Sequence, residues 1–159
     1  MAYKKYLTNE QAIQKLKQYC GYQERSHHEV VQKLWELGVG KKEHDSIVSA
    51  LIEEDYLNEE RFALLFAGGK FRMLEWGRKK ILYGLKEKGV SEYNIKKALK
   101  SIDEEAYLKT LRKEAEKKYA LLKSEQYMVR KKKTMDYLMQ KGFESELITG
   151  VMKEIAGNG

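Results

Sequence analysis

Apolar residues recur along this chain at the spacing of an α-helix. In the last third of the chain, Leu108, Leu111, Ala115, Tyr119 and Leu122 follow the i, i+3, i+4 pattern that places side chains on one helix face. Proline, which breaks helices, is absent from the sequence. No segment alternates apolar and polar residues as a half-buried strand does. The pattern therefore predicts an all-α protein.

One short phrase occurs three times: a leucine, three further residues, a glycine and then an apolar residue. The three glycines are 51 and 53 residues apart, and each is followed by a second helical segment whose first buried position is an isoleucine. A regular period of this kind is typical of a repeat protein, in which each copy is one small unit. The copies of the phrase are Leu34–Val39, Leu85–Val90 and Leu138–Phe143.

Each copy is predicted to fold as three helices. The predicted repeats span residues 1–57, 58–103 and 104–159, with short acidic joints and no flexible linker between them. A three-helix unit is small, so neighbouring copies are expected to share apolar surface in an elongated and curved array of helix-turn-helix-like repeats. The predicted helices are 9–20, 27–37 and 44–54 in the first repeat, 59–73, 78–88 and 92–102 in the second, and 104–122, 126–141 and 144–156 in the third.

Residues at the predicted helix ends support these boundaries. A glycine after a helical segment suits the left-handed conformation in which many helices end. Thr8 and Ser26 each precede a Gln or Glu by three residues, which is the capping-box pattern. Ser91 and Ser145 are predicted to cap the last helices of the second and third repeats.

The formal net charge of +7 is unevenly distributed, with −1 in the first repeat, +5 in the second and +3 in the third. Such a basic surface favours nucleic acid or an acidic protein as the partner, whereas a solvated helix face is the alternative interpretation. Trp76 is expected either to pack in a joint or to contact that partner. The candidate contact residues are Arg61, Lys70, Arg72, Trp76, Arg78, Lys79, Lys80, Lys86, Lys88, Arg130, Lys131, Lys132 and Lys133.

Residues that carry catalytic or metal chemistry are scarce. His27 and His28 are adjacent, so they lack the i, i+4 spacing of a metal-binding helix. The lone Cys20 cannot form an internal disulfide and is expected to be a buried or half-buried thiol. Gly68 stands outside any phosphate-binding loop pattern. We therefore expect no enzymatic activity, no cofactor and no metal site.

The location of the protein is predicted from its lack of long apolar segments. No stretch approaches the roughly 18 apolar residues of a membrane span, and the first residues lack the apolar run of a signal peptide. We expect a cytoplasmic protein that is monomeric and does not contact a membrane.

Three segments, taken in order and at their spacing, resemble the RecX family. They are Arg25–Glu29 at the start of a middle helix, Asp55–Ala63 at the first repeat junction, and Gly77–Val90 in the second repeat. The likeness is strongest over residues 24–100. It implies tandem three-helix repeats and a regulator that binds the RecA recombinase and its filament on single-stranded DNA. The family typically inhibits the ATPase and strand exchange of RecA in DNA recombination, repair and the SOS response.

Two other functions fit the residues. Three-helix units with a basic side are similar to helix-turn-helix proteins, which would contact single- or double-stranded DNA directly. An adaptor for another acidic protein would use the same basic surface. We prefer the RecA regulator because the family segments match in order, and we expect the middle repeat to carry the regulatory contact.

Overall fold

The computed structural model describes residues 7–157, which form nine α-helices and no strand. The all-α prediction is therefore confirmed for this part of the chain. The helices are α1 (Asn9–Tyr22), α2 (His27–Glu36), α3 (Lys41–Glu53), α4 (Glu59–Leu74), α5 (Arg78–Glu87), α6 (Glu92–Lys100), α7 (Glu104–Leu121), α8 (Tyr127–Gln140) and α9 (Ser145–Ala156).

The three repeated glycines end α2, α5 and α8 in the left-handed conformation, as the sequence predicts. Gly38, Gly89 and Gly142 have φ angles of 77°, 73° and 96°. In each turn the N–H of the apolar residue after the glycine donates to the carbonyl of the repeated leucine, which is the pattern of a Schellman motif. The N···O distances are 2.9 Å for Val39 to Leu34, 3.1 Å for Val90 to Leu85 and 3.2 Å for Phe143 to Leu138.

Most of the predicted helix starts lie within one residue of the observed starts, whereas one helix start and one capping residue were predicted wrongly. Thr8 and Ser26 form complete capping boxes, and Ser91 accepts from the Asn94 N–H at 3.4 Å. The prediction for Ser145 was wrong, because Ser145 is already helical and Glu144 is the N-cap. The helix predicted to begin at residue 44 begins three residues earlier, at Lys41, with Gly40 as its N-cap.

The chain packs as two compact units. Among the described residues, the first consists of residues 7–65 and Leu85–Lys97, and the second of Phe66–Gly84 and residues 98–157. In the first unit α1, α2 and α3 pack on one another, and in the second α7, α8 and α9 do so. The boundaries predicted for the repeats and the curvature of the array stay predictions.

Each unit has its own apolar core. Cys20 lies in the first, 6% exposed, and burial raises the pKa of its thiol to about 11, so the expectation of a buried thiol is confirmed. In the second, the buried Tyr107 ring lies between Phe71 and Phe143, at centroid distances of 5.8 and 5.3 Å. The first core contains Ala12, Leu16, Cys20, Val30, Leu34, Val39, Ile47, Leu51 and Leu57.

Candidate docking surface

The first turn of α5 consists of three cations, Arg78, Lys79 and Lys80. This arrangement opposes the helix dipole, which favours acidic residues at a helix N-terminus. By contrast, α4 and α7 both begin with two glutamates, whereas α3 begins with two lysines followed by Glu43, and α8 has no acidic residue in its first turn. The cations at the start of α5 therefore do not stabilise their own helix through its dipole.

The start of α5 is held by backbone bonds to the turn between α8 and α9. The Gly77 N–H donates to the Lys141 carbonyl at 2.7 Å, and the Lys79 N–H donates to the Gly142 carbonyl at 2.9 Å. The Arg78 N–H donates to the Tyr107 hydroxyl at 2.9 Å. Three N–H groups that a helix N-terminus ordinarily leaves to caps or water are thus satisfied. These bonds fix the backbone at the start of α5, and we call this set of contacts the α5 joint.

Arg78 is engaged within the fold. Its guanidinium donates to Glu144 at 2.7 Å and to Glu104, and it lies 3.8 Å from the centroid of the Tyr107 ring. Only 20% of the side chain is exposed. Desolvation lowers the pKa of Arg78, but the hydrogen bond to Glu144 and the nearby carboxylate charges outweigh it, so the pKa is raised. Arg78 therefore links the start of α5 to α7 and to the N-cap residue of α9.

Trp76 is flanked by two lysines. The Lys70 and Lys80 ammonium groups lie 5.0 and 4.6 Å from the centroid of its ring, and Lys70 also lies 5.3 Å from the Phe66 ring. We call Lys70, Trp76 and Lys80 the Trp76 cluster. Its indole is half-buried. The same side chain can therefore both pack within the fold and contact a partner, the two roles expected for Trp76 from the sequence.

Three other predicted contact residues present exposed cations. Lys79, Arg72 and Lys86 are exposed, and none of them forms an ion pair within residues 7–157. The Arg72 guanidinium folds back over Gly68 on α4. Lys79 and Arg72 belong to the second unit with the Trp76 cluster, and Lys86 belongs to the first unit.

Two further candidates are paired within the first unit. Arg61 donates to Glu24 at 2.6 Å and to Asp55 at 3.0 Å, and the hydrogen bond to Glu24 is the main cause of its raised pKa. Lys88 lies 3.7 Å from Glu29. These residues hold the start of α4 and the end of α5 against the first repeat.

The basic run of the third repeat lies in α8 and is partly paired. Lys132 and Lys133 form ion pairs with Asp136 and Glu125, both at 2.8 Å. Arg130 covers the Tyr119 ring at 3.6 Å, and Lys131 lines an open concavity of about 510 Å³ beside α9. The structure therefore brings Lys70, Trp76 and Lys80 together, leaves Lys79 exposed next to Lys80 in the chain, and places Arg130–Lys133 on a separate helix.

Two family models match the chain side by side. Residues 58–99 match the model described as the second three-helix domain of RecX, and residues 104–152 match the model of its third three-helix domain. The chain belongs to the RecX family. The RecX resemblance of the sequence is confirmed, and its tandem three-helix character with it.

RecX relatives and solved structures agree with this family. The regulatory protein RecX of Clostridium perfringens strain 13 is 33% identical over 133 residues, which cover 82% of this chain and 61% of that protein. The chain thus spans less than two thirds of that relative. A crystal structure of a regulatory protein RecX superposes with a TM-score of 0.85 at 22% identity, covering 91% of this chain and 73% of the other. The crystal structure of RecX from Lactobacillus salivarius superposes with a TM-score of 0.84 at 23% sequence identity. The match covers 92% of this chain and 96% of the other. These two structures show the RecX fold.

No three His, Cys, Asp or Glu side chains between residues 7 and 157 are grouped to hold a metal ion. None of the helices α1–α9 is long and apolar enough to cross a membrane.

The sequence did not identify Tyr107 and Glu144, the residues that bind Arg78 at the start of α5. Tyr107 is buried, and burial followed by its hydrogen bond to Glu144 raises the pKa of its hydroxyl well above the usual range. Its O–H donates to the Glu144 carboxylate, which also accepts from Arg78. The apolar face predicted for this helix begins at Leu108 and leaves out Tyr107, and for these two residues the prediction was wrong, because Leu108 is 41% exposed whereas Tyr107 is fully buried. No local signal in the sequence pairs Glu144 with a residue 66 positions away.

Proposed function

We propose that this RecX chain binds the RecA recombinase and its filament on single-stranded DNA and inhibits its ATPase and strand exchange. The observation that supports the docking surface is the first turn of α5, where exposed lysines oppose the helix dipole. Residues that do not serve their own helix are candidates for an intermolecular role. The Trp76 cluster lies beside them and offers an aromatic face between two cations.

The proposed inhibition needs no active site. A surface of several separate cationic groups can contact more than one subunit of a filament, and linked weak contacts add through their effective concentration. A regulator held across neighbouring subunits would restrict the movements that accompany ATP turnover. The backbone bonds of Gly77 and Lys79 to the α8–α9 turn contribute by fixing the first turn of α5 before the partner arrives, which lowers the entropy cost of binding.

The first test is a direct assay of RecA. We expect the purified chain to lower the ATPase rate of its cognate RecA on single-stranded DNA, in proportion to the amount added. The control is the same assay with the chain unfolded by heat beforehand. If a several-fold excess over RecA has no effect at any salt concentration between low and physiological, the proposed function is wrong for this chain.

The second test separates the docking lysines from the structural arginine. We expect the double substitution Lys79→Glu and Lys80→Glu to raise the concentration needed for half-inhibition about tenfold, because two charges reverse sign at the proposed contact. Stability should stay within about 1 kcal/mol of the parent, since acids in the first turn of α5 gain from the helix dipole while the Lys80 contact with Trp76 is lost.

The matched control for this pair is Lys96→Glu with Lys109→Glu. Both lysines are exposed and form no ion pair within residues 7–157, and the net charge changes equally. Equal loss of inhibition in both double variants would mean that total charge, not the α5 surface, determines binding.

Direct DNA binding is the second candidate function, and the Trp76 cluster is the observation that favours it. Aromatic rings beside cations suit the bases and phosphates of nucleic acid. Binding of the chain to DNA in the absence of RecA, weakening steeply as salt is raised, would support this candidate.

A further inference from the structure

The turn between α1 and α2 contains an arginine held in a single orientation. The Arg25 Nε–H donates to the Tyr19 carbonyl at 3.0 Å, and the guanidinium lies 3.7 Å from the centroid of the Tyr19 ring. A guanidinium has five N–H donors, so four remain after this bond. Within residues 7–157 no carboxylate pairs with them. The Arg25 guanidinium is therefore held in one orientation, and its remaining N–H donors are not paired with a carboxylate.

The same arrangement occurs in the second unit. The Arg130 Nε–H donates to the Tyr119 carbonyl at 2.7 Å, and its guanidinium lies 3.6 Å from that ring. The two arginines follow their tyrosines by 6 and 11 residues. Since the sequence spacing differs while the geometry is the same, the arrangement is a recurring feature of the fold.

Arg25 lies in a positively charged surface concavity. The concavity measures about 440 Å³, is open to solvent, and is also lined by Lys15, Lys33 and Tyr22. The Lys33 ammonium lies 5.4 Å from the Tyr19 ring and pairs only loosely with the exposed Glu36, at 3.6 Å. Tyr22 is 84% exposed. Three cations and an uncovered aromatic ring thus meet in a repeat whose net charge is −1.

We propose that this concavity binds the backbone of single-stranded nucleic acid. The free edge of the Arg25 fork suits bidentate contact with a phosphate, and Lys15 supplies a second cation for the adjoining phosphate. The exposed ring of Tyr22 is a stacking surface for a neighbouring base. A protein carboxylate could pair with the Arg25 guanidinium but would not stack on the Tyr22 ring. The exposed ring therefore favours nucleic acid over an acidic protein. The faces of bases in a duplex are already stacked, which favours a single strand.

The test uses the full chain alone, with no RecA present, and a fluorescently labelled oligo-thymidine strand followed by anisotropy. We expect Tyr22→Ala to weaken binding about tenfold, the loss of one stacked base. Lys15→Gln should reduce the slope of log affinity against log salt by about 0.7, the value for one phosphate contact on a single strand. Neither substitution touches the Arg25 contact with Tyr19, so folding should be preserved.

Matched controls exist in the same unit. Tyr93, 72% exposed, and Lys41, exposed at the start of α3, lie outside the concavity. We expect Tyr93→Ala and Lys41→Gln to bind the strand like the parent. Arg25→Lys keeps the charge but loses the fork, so binding should fall by about tenfold as well. Thermal unfolding of each variant separates this loss from any weakening of the α1–α2 turn.

Three results would overturn the proposal. One is unchanged affinity in both Tyr22→Ala and Lys15→Gln. Another is equal weakening by the controls at Tyr93 and Lys41. The third is displacement of the labelled strand by poly-glutamate as effectively as by unlabelled oligo-thymidine, which would identify an acidic protein as the ligand. Because RecA is absent throughout, these outcomes are independent of the ATPase test.

Discussion

Gly77→Ala is expected to destabilise the protein by about 3 kcal/mol. A methyl group at residue 77 would overlap the backbone of Gly142 and Phe143, and backbone atoms cannot rotate away as a flexible side chain can. Relief of the overlap would separate α5 from the α8–α9 turn and break the bonds of Gly77 to Lys141 and of Lys79 to Gly142. Urea unfolding followed by circular dichroism measures the loss. Hydrogen exchange should show the Lys79 amide losing its protection first.

Gly69→Ala is the matched control and should act in the opposite direction. Gly69 lies inside α4, and a methyl group there meets no heavy atom within 4 Å. Alanine is favoured over glycine in a helix by about 0.5 to 1 kcal/mol, so this variant should be more stable than the parent. Unfolding midpoints that shift equally for the two variants would contradict the close approach at Gly77.

Arg78→Ala is expected to cost about 2 to 3 kcal/mol, although arginines near a surface commonly contribute little. The substitution leaves Glu144, whose side chain is 23% exposed, without its cation, and it uncovers the Tyr107 ring. Arg78→Lys should recover only part of the loss, because a single ammonium group cannot bridge Glu144 and Glu104 while stacking on an aromatic ring. Urea unfolding of both variants measures these differences.

Arg112→Ala is the control for this prediction. Arg112 also contacts two carboxylates of the second unit, Glu116 and Glu154, but its side chain is 49% exposed. We expect its unfolding midpoint to stay close to that of the parent, because solvent screens exposed ion pairs. If Arg78→Ala were no more destabilising than Arg112→Ala, Arg78 would not be part of the joint. That result would instead favour the sequence-based prediction that Arg78 contacts the partner.

The Arg78 contacts also change how the α5 surface has to be tested. Reversing the charge of Arg78, Lys79 and Lys80 together would disrupt folding and binding at once, because Arg78 is paired with Glu144 and Glu104. Restricting the substitutions to Lys79 and Lys80 leaves that network in place. Loss of RecA inhibition in the restricted variant can then be assigned to the surface.

Local interactions explain which structural predictions were right. The Schellman turns at Gly38, Gly89 and Gly142 and the capping boxes at Thr8 and Ser26 join atoms a few residues apart. A local pattern of residue types is sufficient to specify such bonds. Ser145 was predicted wrongly because serine is a preferred N-cap residue, whereas the observed N-cap, Glu144, forms no capping bond with its side chain. The choice between them depends on distant groups, since Glu144 faces Arg78 and Tyr107.

The candidate surface could be predicted only in part. Its general location in the second repeat follows from the concentration of Lys and Arg there. From the sequence, Arg61 and Arg78 are candidate contact residues in the same way as Lys79 and Lys80. In the structure the two arginines form ion pairs with Glu24 and Glu144. The concavity at Arg25 was missed because its cations come from different helices of a repeat that is nearly neutral as a whole.

The sequence by itself determined the all-α class, the repeated helix ends and the resemblance to the RecX family, because helical periodicity and glycine turns are encoded within short segments. Only the tertiary structure decided which cations are free to meet a partner. Arg78 pairs with carboxylates 26 and 66 residues away, and Lys79, its neighbour, remains exposed. Long-range contacts of this kind depend on how helices pack, and adjacent residues on a helix point about 100° apart. Chain order therefore cannot distinguish the structural arginine from the lysine beside it.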